Sequence, residues 1–259
     1  MKKKIIISPL ASLDLECQMR IRELRNEESI RKWMYSDHVI SPNEHLSWID
    51  GIKKDQSQAV FVVTTEDNEH VGVVSLNNID KIHQKADWAY YLSEASRGGL
   101  GAAIEYFFIQ FAFSSFGIYK LNCEVIEGND AVVKLHKKFC FTQEGVKRSN
   151  IVKFGVRKNV YLLGLTKDEW DAGKVLVIEK YKKIFDKFYI VLDPGLMNMP
   201  VQDPIDLIQG ARAKNNLNWM SILRLALEKA PETATPIVGE IRRIDREIST
   251  LTDVLLDGD

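Results

Sequence analysis

The chain has 259 residues, of which 45% are hydrophobic and 27% charged, and its formal net charge is −1. The length accommodates one domain of ordinary size with a smaller one beside it, and the composition is ordinary for a globular protein. A net charge close to zero gives no reason to expect nucleic acid or an anionic membrane as a partner.

The cysteines and the hydropathy of the sequence indicate in which cellular compartment the protein is expected. Cys17, Cys123 and Cys140 are odd in number and widely spaced, which predicts neither a disulfide framework nor a zinc site. The first residues are basic and then apolar like the start of a signal peptide, but the apolar stretch ends at Ser8 and Pro9. No run reaches the roughly 18 apolar residues of a membrane span. We therefore expect a reduced, cytoplasmic compartment and no metal.

Hydrophobic periodicity predicts alternating strands and helices over residues 1–166. In chain order these are a strand at 5–10, two helices within 14–33, a short helix after Ser41, strands at 58–65, 70–76 and 86–92, a helix over 104–116, a strand at 120–126, a helix over 131–138, and a hairpin of 141–146 with 150–165. Ser41, Pro42 and Glu44 form a capping-box pattern that fixes the start of the short helix. The order predicts an α/β (α+β) domain with a mixed sheet flanked by helices.

The last third of the chain has a different character. Residues 167–200 predict a charged helical connector and a linker, because two prolines fall within residues 193–200. Residues 201–259 predict a small all-helical module with helices at 203–215, 217–229 and 235–256. Its last helix carries apolar residues at alternating steps of four and three, namely Ile237, Ile241, Ile244, Ile248, Leu251 and Leu255. This seam suits either a private helical core or contact with a second chain.

A glycine-rich turn separates the strand at 86–92 from the helix at 104–116. It contains Gly98, Gly99 and Gly101. Such a turn leaves backbone N–H groups free at a helix start, where the macrodipole adds about half a positive charge and favours a phosphate. Glycines at this place also end strands for steric reasons. The turn is neither a Walker loop nor a dinucleotide fingerprint, because the lysine and the third glycine are missing.

Residues 97–102, Arg-Gly-Gly-Leu-Gly-Ala, resemble the pyrophosphate loop of the GNAT acetyltransferases, with Ser96 where that family prefers Gln or Arg. The resemblance implies the GNAT fold and transfer of an acetyl group from acetyl-CoA to an amine. The pantetheine arm would lie in a gap beside the strand at 86–92, where a backbone N–H would stabilise the thioester oxygen. The residues implied to bind acetyl-CoA are Tyr91, Leu92, Arg97, Gly98, Gly99, Leu100, Gly101, Ala102 and Asn129.

A second motif of the same family follows the next predicted strand. Asn129 and Phe141 match the family pattern Asn-x-x-Ala-x-x-x-Tyr-x-x-x-Gly-Phe, and Val132, His136 and Cys140 occupy its Ala, Tyr and Gly places. The resemblance covers residues 1 to about 165.

His136 stands where the family has a tyrosine that protonates the departing thiolate. A histidine can serve as this acid, and its ordinary pKa of about 6.5, against about 10 for tyrosine, predicts rate loss at a lower pH. The alternative is a histidine that only packs against the cofactor. Glu124 is the favoured base, and Glu127 is the alternative unless it merely caps a helix.

A closer resemblance is to the PseH-like nucleotide-sugar N-acetyltransferases. It rests on residues 24–26, 33–36, 44–46, Trp48 and 72–77. It implies a UDP-4-amino-4,6-dideoxy-N-acetyl-β-L-altrosamine acceptor on the way to pseudaminic acid, used in flagellin glycosylation. The implied substrate-binding residues are Arg25, Met34, Tyr35, His45, Trp48, Ser75, Asn77, Asn78 and Trp88, although core packing of the aromatics and a surface ion pair of Arg25 are the plainer explanations.

Two other functions stay open. One is a protein or peptide N-terminal acetyltransferase, which would favour an open acidic groove. The other is a non-catalytic acetyl-CoA sensor with the C-terminal helices as its output. The seam at residues 237–255 also predicts a homo-oligomer or contact with another enzyme of the pathway.

Overall fold

The computed structural model describes residues 2–96, 98–193, 222, 224–226, 228–236 and 239. The chain forms two compact units, Met1–Gln202 and Asp203–Asp259. The predicted linker and most of the predicted C-terminal helices, including nearly all of the seam, lie outside the described residues. In the second unit residues 231–236 are helical, so this helix begins earlier than predicted, because a proline is well tolerated in a first helical turn.

Besides two single-turn 3-10 helices, the first unit contains eight strands and six α-helices within its described residues. They are β1 (Lys3–Pro9), α1 (Leu15–Asn26), α2 (Glu28–Arg31), α3 (Pro42–Ile52), β2 (Ala59–Thr65), β3 (His70–Asp80), β4 (Lys85–Leu92), α4 (Leu100–Ser115), β5 (Lys120–Ile126), α5 (Asp130–Lys138), β6 (Thr142–Lys153), β7 (Val156–Thr166), α6 (Lys167–Phe185) and β8 (Phe188–Leu192). The mixed sheet flanked by helices is confirmed. None of the helices in the described residues is long and apolar enough to cross a membrane.

The sheet has the strand order β6-β7-β5-β4-β3-β2-β1-β8. Its central pair, β4 and β5, is parallel and is joined only from Lys85 opposite Lys120 to Asp87 opposite Asn122. Both strands continue beyond these residues without pairing to each other. The sheet therefore opens between β4 and β5, which is the gap that the resemblance implied.

Each face of the sheet has its own apolar layer. One buried cluster joins the sheet to α4, α5 and α6 and includes Trp88, Phe108 and Trp170. A smaller cluster joins the other face to α1 and α3 through residues such as Ile21 and Ile49. We call these the α4 face and the α1 face. Side chains alternate between the faces along each strand, so the opening can be reached from two chemically different sides.

The predicted connector is part of the first unit. A capping box at Thr166 and Glu169 starts α6 directly after β7, and the buried Trp170 donates from Nε1 to Gln110 Oε1 of α4 at 3.0 Å. The apolar stretch that follows α6 becomes β8, which pairs in parallel with β1. The many charged residues of α6 make it look like a connector, but one side of the helix is apolar, and Trp170, Val177 and Tyr181 are buried there.

Candidate active site

The glycine turn has the geometry of an anion site. Gly98 and Gly99 have φ angles of +135° and +103°, which side chains rarely adopt. Gly99 immediately precedes α4, and no side chain caps the helix. The first N–H groups of α4, from Leu100 to Ala102, are therefore available to a pyrophosphate. Arg97, predicted to join them, lies outside the described residues.

A backbone N–H group, that of Leu92, points into the opening between β4 and β5. The N–H of Ser93 donates to the carbonyl of Val71 on β3 at 2.8 Å. Because N–H groups alternate along a strand, the N–H of Leu92 points away from β3, toward the opening. This agrees with the predicted oxyanion role. The Tyr91 ring packs on the α1 face, so only its backbone lies at the opening's edge.

His136 lies under the opening on the α4 face. Its ring contacts Trp88, with centroids 5.5 Å apart. Trp88 is the first residue of β4 that no longer pairs with β5. Nδ1 of His136 lies 2.8 Å from Glu105 Oε1, and both side chains are buried. Burial alone would lower the pKa of His136, but the Glu105 carboxylate and a hydrogen bond with Cys123 raise it to about 10. The expectation of an ordinary pKa is therefore wrong.

Glu124 lies on the α1 face, since its neighbour Cys123 belongs to the cluster on the α4 face. Lys147 donates to its carboxylate at 2.5 Å, and the Tyr35 hydroxyl donates to the other oxygen. Burial raises the pKa of Glu124, but these two hydrogen bonds outweigh burial and hold it below its usual value. The alternative base, Glu127, instead accepts from the Asn159 N–H at 3.0 Å and so joins β5 to β7.

Two cations with few partners lie on the same side as Glu124. Arg25 donates through Nη2 to the Ser36 carbonyl at 3.3 Å, while its buried Nη1 has no partner among the described residues. Lys153 is only 3% exposed, and its Nζ lies 3.9 Å from Asp37. Burial lowers the pKa of Lys153, and the charges of Arg25 and Arg31 lower it further. Sequence reasoning missed Lys153, because a lone lysine at a strand end carries no signal.

A row of polar side chains leads to the opening on the α1 face. Asn78 and Asn122 both donate to the Asp87 carboxylate, at 2.8 and 3.2 Å. Asn77 donates to the Ser75 hydroxyl at 3.0 Å. The structure therefore brings the predicted Ser75, Asn77 and Asn78 together with Asp87 and Asn122, which the sequence analysis did not select.

Three predicted substrate residues are placed elsewhere. His45 is 2% exposed and bonds from Nε2 to the Gln18 carbonyl at 2.9 Å, so it joins α3 to α1. The Trp48 ring lies tilted against that of His45, with centroids 5.5 Å apart, and is 42% exposed. Trp88 is buried on the α4 face between Phe108 and Phe141. Packing explains His45 and Trp88, and their positions do not support contact with an acceptor on the α1 face.

The remaining predicted residues keep suitable positions. Asn129 precedes α5, but its side chain makes no capping hydrogen bond, so the amide is available to a cofactor arm. Met34 packs against the α1-face cluster, next to Tyr35. The ring of Trp33 lies 3.8 Å from where a Cβ of Gly128 would be, so this segment crosses from α2 to the end of β5.

Comparison with known proteins supports the arrangement. A family model described as an acetyltransferase (GNAT) domain matches residues 4–142. Spermidine N(1)-acetyltransferase of Escherichia coli strain K12 is 26% identical over 137 residues, covering 52% of this chain and 73% of that protein. The crystal structure of spermidine N-acetyltransferase from Vibrio cholerae with CoA and spermine superposes with a TM-score of 0.60 at 18% identity, covering 64% of this chain and 97% of the other.

A dodecameric structure of the Vibrio cholerae spermidine N-acetyltransferase gives a TM-score of 0.56 at 18% identity, covering 64% of this chain and 95% of the other. At such identities the likeness shows the fold. The family match extends over more than half of the chain, and the free N–H groups at α4 and the opening between β4 and β5 fit acetyl-CoA. The chain therefore belongs to the GNAT family and is an acetyl-CoA-dependent N-acetyltransferase.

Proposed function

We propose that the acceptor is a small molecule that carries a primary amine and, some distance away, an anionic group. A UDP-linked 4-amino-4,6-dideoxy sugar of the pseudaminic acid type has both. The observation that carries the proposal is the sharing of the α1 face by an ionised carboxylate, Glu124, and two poorly paired cations, Arg25 and Lys153.

Arg25 and Lys153 favour an anionic ligand, because their hydrogen-bonding groups have too few acceptors among the described residues. A buried donor without an acceptor costs about 1–3 kcal/mol, and Arg25 Nη1 is such a donor. Lys153 has only a distant carboxylate and the Arg31 carbonyl, 3.5 Å away. Diphosphate oxygens would satisfy both side chains through charge-assisted hydrogen bonds. Tyr35 and Met34 lie in the same region and offer an aromatic and an apolar surface to a base or sugar.

The chain's own residues account for transfer by direct attack. When bound, acetyl-CoA supplies an acetyl group activated as a thioester. Glu124 attracts the ammonium of the acceptor and accepts its proton, directly or through water. The N–H of Leu92 faces the oxygen that gains negative charge as the amine attacks. His136 donates a proton to the departing sulfur from the opposite face.

A polyamine acceptor is the second candidate, because the similar enzymes named above act on spermidine. The carboxylates of Glu124 and Asp87 suit such a cation. The neighbouring Arg25 and Lys153 oppose it, since a polycation would face like charges. A peptide N-terminus is a third candidate acceptor for the same assay, whereas the family match favours an enzyme over the non-catalytic sensor.

The test is acetyl-CoA consumption with a UDP-4-amino-4,6-dideoxy sugar, spermidine and a panel of N-terminal peptides. Replacement of Lys153 by Met, which suits a buried position, should raise KM for the nucleotide sugar about tenfold or more and leave the affinity for acetyl-CoA unchanged. The exposed Lys54→Met variant is the control. Turnover of spermidine or peptides alone would contradict the proposal, and so would acetyl-CoA binding without turnover of the nucleotide sugar.

Self-association through residues 237–255 stays a prediction, because most of these residues lie outside the described part of the chain. A dodecameric relative makes assembly a natural expectation. Sedimentation of the full chain beside a variant ending at residue 192 tests it, and an unchanged number of chains per assembly would remove this role from the C-terminal region.

A further inference from the structure

Glu105 is a carboxylate in an unusual place. It lies in α4, most of whose side chains are apolar, and has no solvent exposure. Transfer of a carboxylate into such a place is expensive unless a partner of opposite charge compensates. One oxygen, Oε1, lies 2.8 Å from His136 Nδ1, and the other, Oε2, is buried without a hydrogen bond.

The surroundings of His136 single out Glu105 as its charged partner. The titratable groups that face its ring are Glu105 from α4, Cys123 from β5 and Tyr90 from β4. Burial and the Glu105 carboxylate hold the pKa of Tyr90 well above its ordinary value, so Tyr90 stays neutral. The other ring neighbours, Trp88 and Phe141, are apolar. Among these groups the Glu105 carboxylate can compensate a positive charge on the imidazole.

We propose that Glu105 is a positioning residue that keeps His136 protonated and holds its ring in one orientation beside β4. The inference rests on the proposed role of His136 as acid. Because Nδ1–H is donated to Glu105 and the ring also hydrogen-bonds with Cys123, the proton that is not on Nδ1 is the one that can be transferred. The departing sulfur gains this proton, the ring becomes neutral, and the proton released by the amine leaves through Glu124, so charge and protons balance.

The pairing of Glu105 with His136 compensates for the burial of the imidazole. A buried imidazole without a partner would be mostly neutral near pH 7, because burial disfavours the charged form. A neutral imidazole is a very weak acid. The Glu105 carboxylate reverses this preference and holds the pKa of His136 above its ordinary value, so the ring keeps a proton that it can donate.

The test uses the full-length Glu105→Gln variant, in which glutamine keeps the size and a hydrogen bond but removes the charge. Two quantities are measured across the pH range, the ring nitrogen shifts of labelled His136 by NMR without acceptor, and kcat at saturating acetyl-CoA. In the wild-type protein His136 should remain protonated beyond about pH 9. In the variant its titration should move down to the ordinary value or lower, and kcat near pH 8 should fall about tenfold or more.

Several comparisons keep the test decisive. Glu105→Asp should restore part of the shift, and the exposed Glu179→Gln should leave both profiles unchanged. The proposal is overturned if His136 titrates at the same pH in wild type and Glu105→Gln, or if its titration moves while the pH dependence of kcat does not. The NMR titration needs no acceptor, so it stays informative even if the proposed acceptor class is wrong. A circular dichroism spectrum confirms that each variant is folded.

Discussion

At the scale of residues, two carboxylates with different surroundings face the opening from opposite sides. Glu124 is ionised beside Lys147 and Tyr35, where it can receive an ammonium group. Glu105 is buried away from solvent and pairs with His136. The different environments suit the two proposed roles. Glu124 would accept the proton that the amine loses, and Glu105 would keep His136 charged so that it can give one.

The Tyr35 hydroxyl is one of the two donors that lower the pKa of Glu124. In Tyr35→Phe the ring remains and the donor is lost, so the pKa of Glu124 should rise. The acidic limb of the kcat/KM profile should therefore move to higher pH, by roughly one unit. Tyr119→Phe is the matched control, because its hydroxyl bonds to Asp168 at 2.8 Å outside the site. A limb that stays in place in Tyr35→Phe would show that Glu124 does not set it.

At the scale of elements, the start of α4 and the divergence of β4 from β5 would form the acetyl-CoA site together. The helix supplies free N–H groups after two glycines with positive φ, and the strand supplies the directed N–H of Leu92. Neither feature needs a side chain, so the site depends on backbone geometry more than on residue identity.

Gly99 is the position where this geometry is most constrained. A Cβ there would require a strained φ of +103° and would lie 3.0 Å from Ile184 Cγ2. Gly99→Ala should lower the free energy of unfolding by about 1–3 kcal/mol and weaken acetyl-CoA binding, as measured by denaturant unfolding and calorimetry. Gly51→Ala is the control, since a Cβ at Gly51 meets nothing within 4 Å; alanine there should stabilise α3 slightly. Equal behaviour of both variants would contradict the account of the loop.

Local chemistry explains what the sequence could predict. The cap at Ser41, the glycine turn and the succession of strands and helices along the chain depend on neighbouring residues, and the structure contains all three. The Glu105–His136 pair and the proximity of Lys153 to Arg25 involve distant segments, so no local pattern predicts them. His45 and Trp88 were misassigned because a histidine or an aromatic ring suits a binding site and a core equally well until the packing is known.

At the scale of the whole molecule, the described part of the first unit is a sheet with different side chains on its two faces. The α4 face carries His136, and the α1 face carries Glu124 and the two cations, with the opening between them. α6 and β8 complete this unit: α6 covers α4, and β8 adds a strand beside β1.

The importance of α6 can be measured through Trp170, which is 1% exposed. Trp170→Ala removes a large buried ring and its hydrogen bond to Gln110, so the free energy of unfolding should fall by about 3–5 kcal/mol. Leu176→Ala, on the same helix at 70% exposure, should change it by less than about 0.5 kcal/mol. Urea unfolding compares the two, and similar small losses would mean that α6 is not part of the core.

The central claim is that the acceptor joins an amine to an anion. The most direct measurement compares kcat/KM for a UDP-4-amino-4,6-dideoxy sugar with that for the same amino sugar without the nucleotide. The two acceptors share the amine and differ in the diphosphate that Arg25 and Lys153 would bind. The account predicts that the nucleotide sugar is better by about 100-fold or more, corresponding to two charge-assisted contacts. Equal values, or a preference for the free sugar, would contradict it.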